Sequence, residues 1–504
     1  MTIYNLNFGI GWASSGVEYA QLYRRNIFKL MKENFKFIYL DFIQKENIQT
    51  LTENLGFEDD EIIWIYQYFT DIKIAPTTYT IQNIIDRLED TNVEIERVNN
   101  KIKKIIFGND NNYIRCYLKN ESENIVDRAE YVSKGKLIKK EFYNFTIVFT
   151  EYYAPYEKKA KLYLRTYFNE DGSIAYEEHI SGKNSIFVFP NVILYSKLEF
   201  IAYFLRQLNL TREDILLIDR SKNIGQVILE NKNQARLGVV IHAEHFNHSN
   251  TNEDYILWNN NYEYMFNHVD YIDFFITATD AQKQLIVNQF NQYKNKNPKV
   301  YTIPVGSLKE LKYTHERASN SIMTASRLAK EKHVDWLIES VVQAHKTRPS
   351  IKFDIYGEGA EKNNLQKLIN EKEANEYIKL RGHKNLEEIY KKYQLYLSGS
   401  TSEGFGLTLM EAIGSGLGII GFDVNYGNTT FIRDRYNGYR IPESIKNQGT
   451  KEIATKFAEK IDEYFVSSNK IDQMSHESYL IADDFLLNNC KEKWLSLVNE
   501  VQDD

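Results

Sequence analysis

Two glutamates bracket a short run of glycines and apolar residues, Ser402-Glu403-Gly404-Phe405-Gly406-Leu407-Thr408-Leu409-Met410-Glu411-Ala412. The run lies between an apolar strand, Leu395-Leu397, and the glycine-punctuated Gly414-Ser415-Gly416-Leu417-Gly418. Glycines in such a loop let the backbone approach a ligand closely. The free amides of the helix that begins near Leu407 form a natural anion site. Glu411, about one turn into that helix, can accept from a vicinal diol such as that of ribose, and Glu403 can accept from hexose hydroxyls. Taken alone, the pair reads as an ordinary βα loop with two solvated glutamates. The enclosing EGFGLTLMEA string argues for a site.

Two further sets of residues suit the same chemistry. Ala325-Ser326-Arg327-Leu328 follows a strand, and Lys332 comes shortly after. At a loop-to-helix entrance this spacing sets two cations beside one anion, and arginine can grip phosphate bidentately. A basic pair on the surface is the bland alternative. Gly357-Glu358-Gly359 and Arg381-Gly382-His383-Lys384 end successive strands, and strand ends along one edge of a doubly wound sheet line a ligand crevice. His242 ends a strand in Ile241-His242-Ala243-Glu244-His245-Phe246-Asn247-His248. Three nearby histidines raise the question of zinc. The HExxH order is absent and no other cluster supplies ligands, so no metal site is expected. An Asp-x-Asp grip for a divalent cation is also missing from the sequence.

The elements that must position these residues follow from local patterns. Thr2 to Phe8 reads as a strand, Gly9 to Gly16 as a small-residue loop, Val17 to Met31 as a helix and Phe35 to Phe42 as a second strand. That order opens a doubly wound α/β domain. From about Tyr66 to Phe189 strands alternate without helices: Lys103-Phe107, Tyr113-Leu118, Glu141-Thr150, Lys161-Phe168 and Ser185-Phe189. Turn chemistry falls at Asn109-Asp110-Asn111 and Asp171-Gly172. An antiparallel β-meander is thus inserted into the first domain. After Leu198 the α/β rhythm resumes, and a second α/β unit starts near Ser307. The chain ends in two helical stretches, Lys451-Ser467 and Ile471-Val498. The expected domains are 1–65 with 190–306, an inserted 66–189, and 307–480. A terminal helix over 481–504 is expected to return to the first domain.

Composition sets the outer bounds. At 504 residues the chain is too long for one ordinary core. Hydrophobic content of 43% with 26% charged residues is that of a globular protein. A formal charge of −7 argues against non-specific nucleic-acid binding. The two cysteines, Cys116 and Cys490, have no companions for a disulfide framework, which suits a reducing compartment. The first residues lack a basic n-region and a long apolar h-region, so no signal peptide is expected, and no apolar run is long enough to span a membrane. A cytoplasmic protein is expected.

The Glu403 to Glu411 string resembles the E-x7-E motif of retaining glycosyltransferase family 4, which has a GT-B fold of two doubly wound Rossmann-like domains. The resemblance implies that Glu403 and Gly404, Phe405, Gly406 and Leu407 hold the donor sugar and diphosphate. It implies that Glu411 holds the ribose, and that His383 and Lys384 meet the uracil through backbone contacts. Arg327 and Lys332 would neutralise the leaving diphosphate, and His242 would face the donor sugar's C6 edge. Gly16, opening the first helix with Val17, Glu18 and Tyr19, would bring its amide to the phosphates; the family has a glycine pair where this chain has Ser15-Gly16. With no cofactor and no metal, charge on departing UDP would be met by Arg327, Lys332 and helix N-termini.

The opening MTIYNLNFGIGWASSGVEYAQ, the β insertion and the EGFGLTLMEAIGSGLG segment resemble, over the whole chain, the A-type glycosyltransferase subunits of accessory-Sec systems. That resemblance implies transfer of GlcNAc from UDP-GlcNAc to Ser and Thr of serine-rich repeat adhesins. It further implies an unfolded acceptor, a homologous non-catalytic B subunit as partner, and an intracellular site of action where peripheral contact with the inner face of the membrane stays open. Two alternatives remain at this level: a wall teichoic acid α-glycosyltransferase, and a non-catalytic substrate-binding subunit.

Overall fold

The computed structural model describes residues 1–9, 16–43, 47–88, 92–108, 111–156, 159–314 and 316–503. The loop expected at Gly9–Gly16 lies outside them from Ile10 to Ser15, as do Asn109 and Asp110 of one expected turn.

Short apolar runs too brief for helices form the first strands, β1 (Ile3–Asn7), β2 (Phe35–Tyr39) and β3 (Ile62–Trp64). The chain then leaves this sheet for ten strands: β4 (Val93–Asn99), β5 (Ile102–Phe107), β6 (Tyr113–Asn120), β7 (Ile125–Ser133), β8 (Lys136–Tyr143), β9 (Ile147–Tyr156), β10 (Lys159–Phe168), β11 (Ile174–Ser181), β12 (Asn184–Val188) and β13 (Ile193–Leu194). It returns with β14 (Ile215–Ile218), β15 (Arg236–Ile241), β16 (Phe274–Thr277) and β17 (Val300–Thr302). The first sheet has the order β17-β16-β15-β14-β1-β2-β3, with β1 parallel to both β14 and β2. Strand order reverses between β1 and β14, the kind of switch point whose carboxyl ends open onto ligand.

Two compact units divide the chain: Met1–Glu18, Glu33–Gly238 and Tyr264–Ile272 in one, Tyr19–Lys32, Val239–Glu263 and Asp273–Asp504 in the other. The division passes through β15. In the first unit, β4 to β13 lie in the sheet in chain order, each antiparallel to the next. Alternation along the strands explains this: β6 buries Ile114, Cys116 and Leu118 and turns Tyr113, Arg115 and Tyr117 outward. Rings fill the other half of the sheet's core, Tyr167 stacking on Tyr176 at 4.3 Å and Phe187 on Phe200 at 4.1 Å. The single strand expected over Glu141–Thr150 is instead a hairpin. Asn144 turns it, its carboxamide oxygen accepting from the Thr146 amide at 3.0 Å. Short helices, Ile65–Tyr68 and Ile81–Ile85, precede β4 where only strands were expected.

The second unit carries a six-stranded parallel sheet: β18 (Ser321–Ala325), β19 (Lys352–Tyr356), β20 (Ile378–Gly382), β21 (Leu395–Ser398), β22 (Gly418–Phe422) and β23 (Gly438–Ile441), in the order β20-β19-β18-β21-β22-β23. Here the order reverses between β18 and β21. The one long helix expected over Ile471–Val498 is two, Ser468–Asp483 and Leu487–Asp503. Between them the Phe485 carbonyl accepts from Leu308 N and the Leu487 amide donates to Leu308 O, both at 2.8 Å. Pairing with a remote strand-like residue thus interrupts the helical ladder. On the last helix Trp494 meets Phe28 edge-on at 5.0 Å. Cys116 and Cys490 are both buried thiols.

Candidate active site

After β21 the chain turns through Glu403 to Gly406, whose φ of 91° lies in the left-handed region, and enters the helix Leu407–Gly414. That backbone, and a Cβ that would sit 2.8 Å from Leu409 Cδ1, call for glycine. The Tyr396 hydroxyl donates to Ala325 O at 2.8 Å and lies 3.0 Å from Thr408 Oγ1, tying the helix start to the end of β18.

Glu403 is held on both sides. Its carbonyl accepts from the amides of Tyr426 at 2.7 Å and Gly427 at 2.8 Å. Its carboxylate takes Lys332 Nζ at 2.7 Å, both side chains being mostly buried. Lys332 ends a 3₁₀ turn, Lys330–Lys332, and a Cβ on Gly399 would lie 2.7 Å from the carbonyl oxygens of both Lys332 and His333. The end of β21 and the cationic turn are therefore in direct backbone contact. Arg327 goes elsewhere: its guanidinium pairs with Glu331 at 2.7 Å on the surface, 73% exposed.

His242 follows β15 directly. Its amide and that of Ala243 donate to the Tyr262 hydroxyl at 3.0 and 3.1 Å. A Cβ on Gly404 would lie 2.6 Å from His242 O, so the glutamate loop lies against the His242 main chain. Lys332, Glu403, Gly404 and His242 thus come together. Two residues beyond His242, Glu244 accepts from the Tyr426 phenol in a short hydrogen bond. The next residue, His245, is fully buried, with Nδ1 3.1 Å from that phenol and Nε2 2.7 Å from Gln289 Oε1. Burial pushes the His245 imidazole down to about 4, outweighing the Gln289 hydrogen bond.

Glu411 forms a second centre. Tyr390, itself buried, donates to Glu411 Oε2 at 3.0 Å. Burial raises the Glu411 carboxyl above the usual range, while hydrogen bonds from Tyr390 and Tyr23 oppose that rise. A cavity of about 290 Å³ opens beside it, lined by Tyr23, Ser307, Lys309, Asn385, Tyr390 and Glu411 among others. His383 and Lys384 are exposed and follow β20, whose last residue, Gly382, has φ 71°. The turn they begin supplies Asn385 and Leu386 to the cavity wall.

The remaining sequence candidates are placed as follows. Phe405 is buried, its ring edge-on to Phe431 at 5.1 Å, and its carbonyl lies where a Cβ on Gly427 would meet it at 1.9 Å. Leu407 lies where a Cβ on Gly306 would approach its Cδ2 to 2.3 Å. Gly16 opens the helix Gly16–Met31, with open space where a Cβ would sit. In the same first turn Val17 is half-buried, Glu18 buried and Tyr19 exposed. Gly16, Val17 and Glu18 belong to the first unit; Tyr19 and all the residues placed above belong to the second. Tyr23, Tyr262, Tyr390 and Tyr426 escaped the sequence reading, which weighed His245 only as a zinc ligand. Only Tyr23 had a signal, one helical turn after Tyr19.

Two family models match the chain: "GtfA extended beta-sheet domain" over residues 94–191 and "Glycosyl transferases group 1" over 309–477. A relative from Streptococcus agalactiae, the GtfA subunit of a UDP-N-acetylglucosamine–peptide N-acetylglucosaminyltransferase, is 52% identical, with 100% of this chain and 99% of the relative covered. Among solved structures, the pneumococcal O-GlcNAc transferase GtfA in complex with UDP and GlcNAc is 47% identical at a TM-score of 0.93, covering 100% of this chain and 99% of that one. A chain of a GtfA/B complex is 48% identical at a TM-score of 0.95, with both chains covered in full.

Proposed function

Since this chain belongs to the family of GtfA subunits of the UDP-N-acetylglucosamine–peptide N-acetylglucosaminyltransferases, we propose that it transfers GlcNAc from UDP-GlcNAc to serine and threonine hydroxyls of a serine-rich repeat adhesin, the first step of its O-glycosylation. Its fold is GT-B, two doubly wound domains with an antiparallel sheet inserted in the first. The observation that carries the reading is the meeting of Lys332, Glu403 and the Gly404–His242 backbone contact at the carboxyl end of β21.

In this reading the cavity beside Glu411 takes the nucleoside, ribose hydroxyls replacing phenols on the carboxylate, with the uracil at the turn from His383 and Lys384. The diphosphate meets the free amides at the start of the helix Leu407–Gly414, Lys332 and Arg327. Glu403 aims the Lys332 ammonium and accepts from sugar hydroxyls. As the C1–O bond to UDP breaks, the acceptor hydroxyl attacks from the same face. Its proton passes to the departing phosphate oxygen, so the anomeric configuration is retained. The charge that develops on UDP is met by Lys332 and the helix-start amides, which are already in place, and by Arg327 once it leaves Glu331. This chemistry calls for no metal, so transfer should survive excess EDTA; a full loss restored by Mg²⁺ or Mn²⁺ would contradict it.

A homologous non-catalytic B subunit is the partner in this reading, supported by the likeness to a chain of a GtfA/B complex. Among the described residues no helix is long and apolar enough to cross a membrane. The reading places the enzyme in the cytoplasm, in peripheral contact with the inner face of the cell membrane. The test is to express the chain with its B subunit and a serine-rich repeat polypeptide, then weigh the intact polypeptide. Mass increments of N-acetylhexosamine are expected. Modification of a polyol-phosphate polymer with none of the peptide would overturn the acceptor; no UDP-GlcNAc turnover at all would overturn the enzyme.

A further inference from the structure

Two loops that carry donor-side candidates touch through backbone, where a Cβ on Gly404 would lie 2.6 Å from His242 O. Glu403 sits on the loop after β21 and His242 on the loop after β15. The residue that spans them is Tyr426. Its main chain, which follows β22, is bonded to the first loop: Tyr426 N and Gly427 N donate to Glu403 O at 2.7 and 2.8 Å, and Asn425 O accepts from Glu403 N at 3.3 Å. Its phenol belongs to the second, donating to Glu244 and lying 3.1 Å from His245 Nδ1. His245 is in turn fixed by Gln289 at 2.7 Å. Tyr426 is only 1% exposed and His245 is fully enclosed, so water cannot take the phenol's place at His245.

We infer that Tyr426 is a positioning residue for sugar transfer: through Glu244 and His245 it fixes the distance between Glu403 and His242. The inference rests on the transferase reading above. A phenol suits the task because the ring packs in the interior while one hydroxyl reaches two polar partners. The loops also meet where Gly404 packs against the His242 main chain, a contact that carries no hydrogen bond to set their register. Without the phenol hydroxyl the two loops keep their own internal bonds, because Tyr262 still accepts from His242 and Ala243 and the main chain of residue 426 still bonds Glu403. What is lost is their mutual registration. Misplacement of reacting groups by about 1 Å can cost roughly a hundredfold in rate.

The experiment compares Tyr426→Phe, Glu244→Gln and Glu244→Ala with the unaltered chain, each with its B subunit. The readouts are kcat and donor KM for peptide glycosylation, UDP affinity by calorimetry, and Tm. The expected result for Tyr426→Phe is a fall in kcat of about ten- to a hundredfold, with UDP affinity and donor KM within about threefold of the parent. Glu244→Gln, whose carboxamide oxygen still accepts from the phenol, should keep most of kcat. Glu244→Ala should match Tyr426→Phe, and the double variant should be no worse than either alone. A kcat for Tyr426→Phe within twofold of the parent overturns the inference, as do losses that track Tm or UDP affinity, or additive losses in the double variant. An unaltered chain with no transferase activity would instead overturn the reading beneath it.

Discussion

Replacing Lys332 by alanine separates a catalytic ion pair from a structural one. Lys332 Nζ lies 2.7 Å from Glu403 Oε2, with about a quarter of one side chain and a fifth of the other exposed. As a stabilising contact, a partly solvated pair of this kind is worth at most about 1 kcal/mol. As a donor to a departing diphosphate it is worth more. A unit charge at about 4 Å interacts with about 4 kcal/mol at an effective dielectric of 20, and a partial developing charge takes about half to three quarters of that. The barrier should therefore rise by about 2–3 kcal/mol, a fall in kcat of roughly thirty- to a hundred-and-sixtyfold. Stopped-time assays of UDP release at saturating donor give kcat, and calorimetric unfolding gives stability. The expected pattern is a large loss of kcat with a change in stability below about 1 kcal/mol. A kcat within threefold of the parent, or a loss of rate matched by a loss of folded protein, would refute the assignment of Lys332 to the leaving group.

Arg327→Ala should also remove most transfer, by about a hundredfold, without measurable change in Tm, because its guanidinium pairs with the exposed Glu331 at the surface; near-normal turnover would remove Arg327 from the site. Inside the inserted sheet, Glu141 is 2% exposed and bonded by Arg87, Lys139, Tyr131 and Tyr143. Burial alone would raise its pKa, but those partners outweigh burial and hold it at about 2, against an ordinary 4.5. A depressed carboxylate stabilises the fold above its unfolded pKa and loses that contribution as pH falls toward the folded value, here about 3 kcal/mol across the window from 4.5 down to 2. Urea unfolding at stepped pH should show this decline in the parent and not in Glu141→Gln; the same decline in both would exclude Glu141 as its source. Lysine at Ile95 and Val98, half-exposed on the edge strand β4, should lower peptide glycosylation and recovery of the partner while leaving UDP-GlcNAc hydrolysis unchanged. A joint fall of hydrolysis and glycosylation would show that the insertion is not specialised for the acceptor side.

What could be read from the sequence was what local spacing encodes. The glutamate string, the glycine at the left-handed entrance and the alternation of the inserted strands each depend on neighbours within a few residues. Lys332 could be nominated by spacing from Arg327, but not its partner. The structure turns Lys332 to Glu403 and leaves Arg327 with Glu331, the two being separated by the 3₁₀ turn Lys330–Lys332. The break in the terminal helix and the bridge at Tyr426 arise from pairing with Leu308 and Glu403, residues distant in sequence, so no local periodicity reports them. The strand predicted over Glu141–Thr150 failed for a nearer reason: Asn144 sits in an apolar and aromatic run whose β propensity masks the turn its side chain makes.

The order of the inserted sheet has a consequence for how such an enzyme changes over generations. Since β4 to β13 succeed one another in space as they do in sequence, every strand pairing closes a short hairpin and none requires the chain to cross the sheet. Folding can spread outward from any hairpin with little loop entropy to overcome. A hairpin copied or deleted at the β4 margin leaves every remaining pairing intact, and each strand contributes about 4.8 Å of width. Duplication of a single hairpin would therefore move the free edge outward by about 10 Å while leaving the strands that Glu403, Lys332 and His242 stand on untouched.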